Sequence, residues 1–157
     1  MDFSDFAWLI AVLTTGTAAG AMTGHTLLLG RFFNWIFESD RTEVFRQNYP
    51  AFMEARKPQR FFDHLFTAAL VATTAYAVLL FLTDRIGTMA LIAAGLQWLF
   101  AAVFFGTGFA GLEQDLFIRG AVSPEKIRRF LSLNTPLIAL SSLLLLVSFA
   151  CLLLMKA

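Results

Sequence analysis

The chain reads as an all-α integral membrane protein, an antiparallel four-helix bundle with both termini on the non-cytoplasmic side. Three observations carry this reading. Of 157 residues, 58% are hydrophobic and the mean hydropathy is +0.70, more than a soluble domain of this length can bury. Charged residues make up only 15% and gather between long apolar runs. Lys and Arg concentrate in two connections, with Arg41, Arg46, Arg56, Lys57 and Arg60 in one and Arg119, Lys126, Arg128 and Arg129 in the other. Opposite them stand only Arg85 and Lys156, so the positive-inside rule places the connections 31–60 and 113–134 in the cytoplasm.

Four apolar runs, 6–30, 61–83, 86–112 and 135–155, each hold the roughly 20 residues a crossing needs. The opening MDFSDFAWLI has two aspartates and no Lys or Arg. It therefore reads as a retained transmembrane helix with Trp8 as its outer anchor, and not as a secretory signal. Gly16, Gly20 and Gly24 recur every fourth residue as a ridge for close helix approach, and His25 lies beside it. The first connection reads as short helical pieces: Ser39 or Asp40 caps a turn, Pro50 breaks it, and Pro58 opens the second span.

RFFNWIF at 31–37 is echoed by RFFDHLF at 60–66. The two copies run in opposite directions through the same boundary, so they are not a parallel duplication. RFF is an interfacial anchor, with Trp35 as the cytoplasmic belt residue. The second copy adds Asp63 and His64. Arg60, Asp63, His64 and Thr67 fall at i, i+3, i+4 and i+7, a polar stripe expected to face protein.

Asp84 and Arg85 alone separate the second and third spans, which predicts a tight hairpin. In the third span Ala102, Gly106 and Ala110 form another small-residue ridge, with Glu113 on the same face and Gln114 and Asp115 following. Ser123-Pro124-Glu125 is a helix start, and Ile127, Phe130, Leu131 and Leu133 interleave with basic residues as in an interfacial helix. Asn134 or Thr135 before Pro136 offers a second start, and Ser141 continues the Asn134 face. The single cysteine, Cys151, excludes an intramolecular disulfide or a multi-cysteine metal site. A net charge of +1 gives no basis for nucleic-acid binding.

His25, Asp63, His64, Glu113, Asp115 and Asn134 thus converge on the cytoplasmic end. Imidazole with carboxylate suits a transition-metal ion, with His25, His64 and Glu113 as ligands, and Glu113 and Asp63 suit acid–base work. Asn134, Gln97 and Tyr76 are candidates to hold a substrate. Each has an ordinary reading too: interfacial caps and ion pairs for the carboxylates, interhelical hydrogen bonds for Gln97 and Tyr76. With 18 phenylalanines, the end also has the makings of an apolar pocket for an aromatic ligand. Two other readings stand beside metal-dependent oxidation or binding of such a ligand. One is a haem b protein with His25 and His64 as axial ligands. The other is a cofactor-free accessory subunit that joins copies of itself or a larger membrane complex through its glycine ridges.

Several features together resemble the bacterial anthrone-oxygenase-like integral membrane family: TAAGAMTGH in the first span, an aromatic-rich exit, a proline-bearing connection, a tight hairpin and a polar connection before the last span. The resemblance implies a four-helix fold in a bacterial inner membrane and, in some members, oxidation of polycyclic aromatic substrates. A Trp and an Arg commonly flank the start of the last helix in that family, whereas RRFLSLNTPL here has Asn134, no Trp and no later Arg.

Overall fold

In lipid a chain must satisfy its backbone polar groups internally, and runs of about 20 apolar residues do so as helices. The computed structural model describes residues 2–39, 41–83, 85 and 87–155, and among them every regular element is helical. Asp40, Asp84, Ile86 and Lys156 lie outside the described residues. Four helices are long and apolar enough to cross a membrane, which suggests an integral multi-pass membrane protein.

The first helix exceeds its expected end at residue 30. α1 (Phe3–Gly24), a π-turn (His25–Leu29) and α2 (Gly30–Glu38) run on as one rod of 36 residues. At 1.5 Å per residue this rod is about 54 Å long, against a hydrocarbon core of about 30 Å. Asp2 and Asp5 start it with a reciprocal capping box: Asp5 N–H donates to the Asp2 carboxylate (2.7 Å) and Asp2 N–H to that of Asp5 (3.1 Å). In the π-turn the Gly30 N–H donates to the His25 carbonyl, which accommodates one extra residue. Leu29 is turned outward and Gly30 takes the buried position ahead of Phe33, Ile36 and Phe37.

The first connection is helical, as expected, but Pro50 makes no break in it. α3 (Thr42–Arg56) passes through Pro50. Proline there removes one backbone bond to the carbonyl of Arg46, a residue exposed enough for water to replace it. Lys57 turns left-handed (φ 49°) and Pro58 opens α4 (Pro58–Leu82), as its N1 preference requires. The hairpin to α5 (Thr88–Gly106) draws Gly87 against Leu80, where a β-carbon would come within 2.5 Å of the leucine side chain.

The third span is interrupted. Gly108, at φ +72°, separates α5 from α6 (Phe109–Glu113), which leads into a second π-turn (Gln114–Ile118). α7 (Pro124–Leu154) begins where Ser123 and Pro124 predict, with the Ser123 hydroxyl accepting from Lys126 N–H at 3.3 Å. It continues through Pro136, so Asn134 and Thr135 start no separate helix. Phe130 is fully buried, with Ile127, Leu131 and Leu133 packed against the same core, so this segment turns its apolar face into protein and not onto the lipid interface.

α1 packs on α4 and α7, and α5 packs on the same two helices. Trp8 Nε1 donates to the Leu152 carbonyl at 2.8 Å, while Asn34 Nδ2 donates to Thr135 Oγ1 at 3.0 Å. The start of the first helix therefore meets the end of α7, and its end meets the beginning of α7. Side chains facing outward from the spans, such as Phe81, Phe105, Val71 and Leu143, are apolar and more than half exposed. Inside, small residues (Ala11, Ala77, Ala90, Ala93) with Leu80, Tyr76 and Cys151 form one core, and an aromatic core occupies the other end.

Between the two cores lies a buried polar knot joining all four spans. Gln97 Nε2 faces Thr15 Oγ1 and Thr73 Oγ1 at 2.9 Å each and Ser148 Oγ at 3.1 Å. Thr15 and Thr73 share a bond of 3.0 Å, and the Ser148 hydroxyl donates to the Ala93 carbonyl at 3.0 Å.

Candidate functional site

The end of the molecule that holds α2, α3, the second π-turn and the start of α7 is built from rings. Phe33 and Phe37 from α2, Phe45 and Tyr49 from α3, Phe117 from the π-turn and Phe130 from α7 pack with centroid separations of 4.6–6.3 Å. Most are edge-to-face or tilted, the geometry ring quadrupoles favour. This aromatic core is what holds α3 against the bundle.

His25 opens the first π-turn. Its ring is half-buried, 6.3 Å from Phe33, and its Nε2 is buried without a hydrogen-bond partner among the described residues. Glu113 immediately precedes the second π-turn. The residue as a whole is half-buried, but its carboxyl is shut away from solvent, and that burial pushes its pKa up to about 8, so it is largely protonated at neutral pH. Burial first, and the Glu113 charge second, raise the Tyr49 phenol to about 12. Each π-turn thus begins at or next to a titratable residue that the sequence singles out, and π-turns recur at functional positions.

The other expected site residues lie elsewhere. Arg60, Asp63, His64 and Thr67 are all exposed, so the stripe faces outward and not into protein as expected. The inner seam of α4 is set by Ala69, Thr73, Tyr76, Ala77 and Leu80, which places Phe66, packed on Phe100, on the inside at that end. Asp115 is an ion-pair residue, with Lys126 Nζ and Arg119 Nη1 each at 2.8 Å. The Lys126 hydrogen bond is the main reason its carboxyl sits below the usual range. Gln97 has its amide in the polar knot, and Tyr76 is buried in the small-residue core near the opposite end. Asn134 is fully buried beside α2, its Nδ2 donating to the Gly30 carbonyl at 3.0 Å and to Asn34 Oδ1 at 2.7 Å. Among the described residues no three His, Cys, Asp or Glu side chains gather so as to hold a metal ion. The expected His25, His64 and Glu113 ligand set is therefore not assembled.

The glycine ridges are not used within the chain at most of their positions. A methyl group at Gly20, Gly24 or Gly106 would meet nothing within 4 Å, while one at Gly16 would press on the Phe149 ring.

A groove that the sequence does not announce lies between α2 and α3. It has a volume of about 590 Å³ and is lined by Phe32, Trp35, Ile36, Val44, Phe45, Tyr49 and Phe52, with Arg41 and Asn48 as the other polar side chains. The Arg41 guanidinium lies 4.3 Å from the Trp35 ring centroid, and Trp35 stacks on Phe32. Tyr49 belongs to both regions: one side lines the groove, and the other packs on Phe33 within the influence of Glu113. The signal for the groove was the spacing of Phe45, Tyr49 and Phe52, a helical period that continues past Pro50.

No family model matches the chain, and no curated protein or solved structure matches it either.

Proposed function

We propose that this is an inner-membrane protein of bacteria, an antiparallel four-helix bundle with both termini on the non-cytoplasmic side, that binds an apolar aromatic ligand at its cytoplasmic end. The observation that carries the reading is the groove between α2 and α3. Its volume falls in the range of small-molecule sites, and its lining combines apolar and aromatic surface with a few convergent polar groups. Arg41, positioned over Trp35, favours a ligand with an acidic or carbonyl group beside its rings. The basic connections 31–60 and 113–134 support the orientation.

Within this reading Glu113 and His25 are polar groups behind the aromatic wall, and Glu113 acts on the ligand only through Tyr49. His64, exposed on α4, gives no support to haem held between the two histidines. The test is energy transfer from Trp35 to anthracene-2-carboxylate in a detergent-solubilised Trp8→Phe, Trp98→Phe background. Saturable transfer that weakens about tenfold in Arg41→Gln supports the reading, since one charge-assisted contact is worth about that factor. Transfer that rises linearly with probe, or that ignores both Arg41→Gln and Val44→Arg, refutes it.

A further inference from the structure

A second and separate cavity lies on the opposite side of α2, where the π-turn meets α7. It has a volume of about 90 Å³, and its walls include Thr26, Gly30, Arg31, Asn134 and Thr135. The chemistry of this crevice is fixed by Asn134. Its Nδ2 faces two acceptors, the Gly30 carbonyl at 3.0 Å and Asn34 Oδ1 at 2.7 Å, and so commits both hydrogens. A main-chain carbonyl cannot donate, so the amide cannot be turned round. Its Oδ1 is therefore held as an acceptor, in a side chain with 0% exposure, and it has no donor among the described residues. An acceptor buried this way costs free energy until something donates to it.

We propose that the crevice binds the headgroup of a membrane phospholipid whose polar end is a hydrogen-bond donor. Three observations point to that occupant. Arg31, an exposed cation in the crevice wall, suits the phosphodiester, and Asn134 Oδ1 suits an ammonium or hydroxyl hydrogen beyond it. The adjoining surface is made of outward leucines, with Leu27 and Leu28 56% and 72% exposed, where acyl chains would lie. From Phe3 to Arg31 the helix rises about 42 Å, close to the thickness of a bilayer with its headgroups, so the crevice is level with a headgroup layer. The π-turn creates the site by turning Leu29 away and bringing Gly30, which has no side chain, against Asn134.

Phosphatidylethanolamine and phosphatidylcholine share the phosphodiester, but the trimethylammonium of the second has no N–H. Delipidated full-length protein in detergent, titrated with each lipid and read by native mass spectrometry, should retain the ethanolamine lipid about tenfold more tightly, the effect of one hydrogen bond into a buried acceptor. Arg31→Gln, at an exposed position, should weaken that binding about tenfold while leaving the helical circular dichroism unchanged. Equal retention of the two lipids overturns the proposal, as does unchanged binding in Arg31→Gln. Displacement of the lipid by millimolar inorganic phosphate would make the crevice an anion site and overturn it as well. Groove binding of anthracene-2-carboxylate is read separately, so either reading can fail alone.

Discussion

Replacing Gln97 by leucine tests the polar knot. The amide nitrogen carries two hydrogens but faces three hydroxyl oxygens, at 2.9, 2.9 and 3.1 Å, so two bonds form at any instant. Side-chain bonds between membrane helices average about 0.6 kcal/mol and reach about 1.7, so the pair is worth about 1.2 kcal/mol with a ceiling near 3.4. Leucine is close in volume to glutamine and opens no large cavity. Nor does it orphan the hydroxyls, because Thr15 and Thr73 keep each other and Ser148 keeps the Ala93 carbonyl. Gln97→Leu should therefore cost about 1 kcal/mol, and Gln97→Ala about 2 kcal/mol more through the cavity it leaves. Reversible unfolding by dodecyl sulfate in bicelles, followed by circular dichroism, measures both. A stabilised leucine variant would mean that the amide costs more than its bonds return, and a loss above about 4 kcal/mol would mean that the hydroxyls depend on it; either refutes this accounting.

Three further outcomes follow from the same structure. Glu113 has a folded pKa near 8, above the ordinary carboxyl value, so it stays protonated when folded over a range where the unfolded chain ionises. Its contribution is fully present below about pH 4.3 and is lost as pH rises to about 8, so Glu113→Gln should flatten the fall in Tm across that window, and an unchanged slope would be fatal to the assignment. Gly108→Ala forces a β-carbon into a left-handed position and within 3.3 Å of Arg129, and should cost about 1–2 kcal/mol in the same unfolding assay, whereas a neutral variant would show that the break between α5 and α6 relaxes freely. Gly20→Leu meets nothing inside the chain, so the monomer's stability should hold. If the ridge joins a second copy, light scattering will show that copy lost.

The four spans were legible because length and apolarity alone decide them. Their limits were not. Nothing in GHTLLLGR marks a π-turn, since the extra residue is stabilised by what Gly30 then meets across the interface, on a helix more than a hundred residues away. Pro50 and Pro136 read as boundaries, yet each costs only one backbone bond and both helices pass through them. His25 and Glu113 were legible only as polar groups beside apolar runs, and that each adjoins a π-turn was not. The outward turn of Asp63 and His64 was not, because a four-residue stripe near a helix end cannot outweigh the seam of small residues that orients the whole of α4. Thr15, Thr73 and Ser148 were invisible as a network. In the sequence they look like Thr17, whose hydroxyl only bonds back to the Leu13 carbonyl. The groove was hidden because α3 was divided at Pro50, which separated Phe45 and Tyr49 from Phe52.

The π-turn at His25–Leu29 gives the first helix two independent angular settings. Each residue of an α-helix advances about 100° around the axis, so an added residue rotates all that follows by that amount unless a π-turn takes it up, as this one does. The half in the bundle is aligned by Ala11, Thr15, Ala18 and Met22, the half beyond it by Gly30, Phe33 and Phe37. Deleting one residue between 25 and 29 would remove the extra residue the turn takes up and restore a plain α-helix with the rings of Phe33 and Phe37 still facing Phe45, Tyr49 and Phe117, whereas inserting one would swing them about 100° away and undock α3 while the spans stay packed. An inserted residue there would act like a dial, turning the α2–α3 end without altering how the four spans pack.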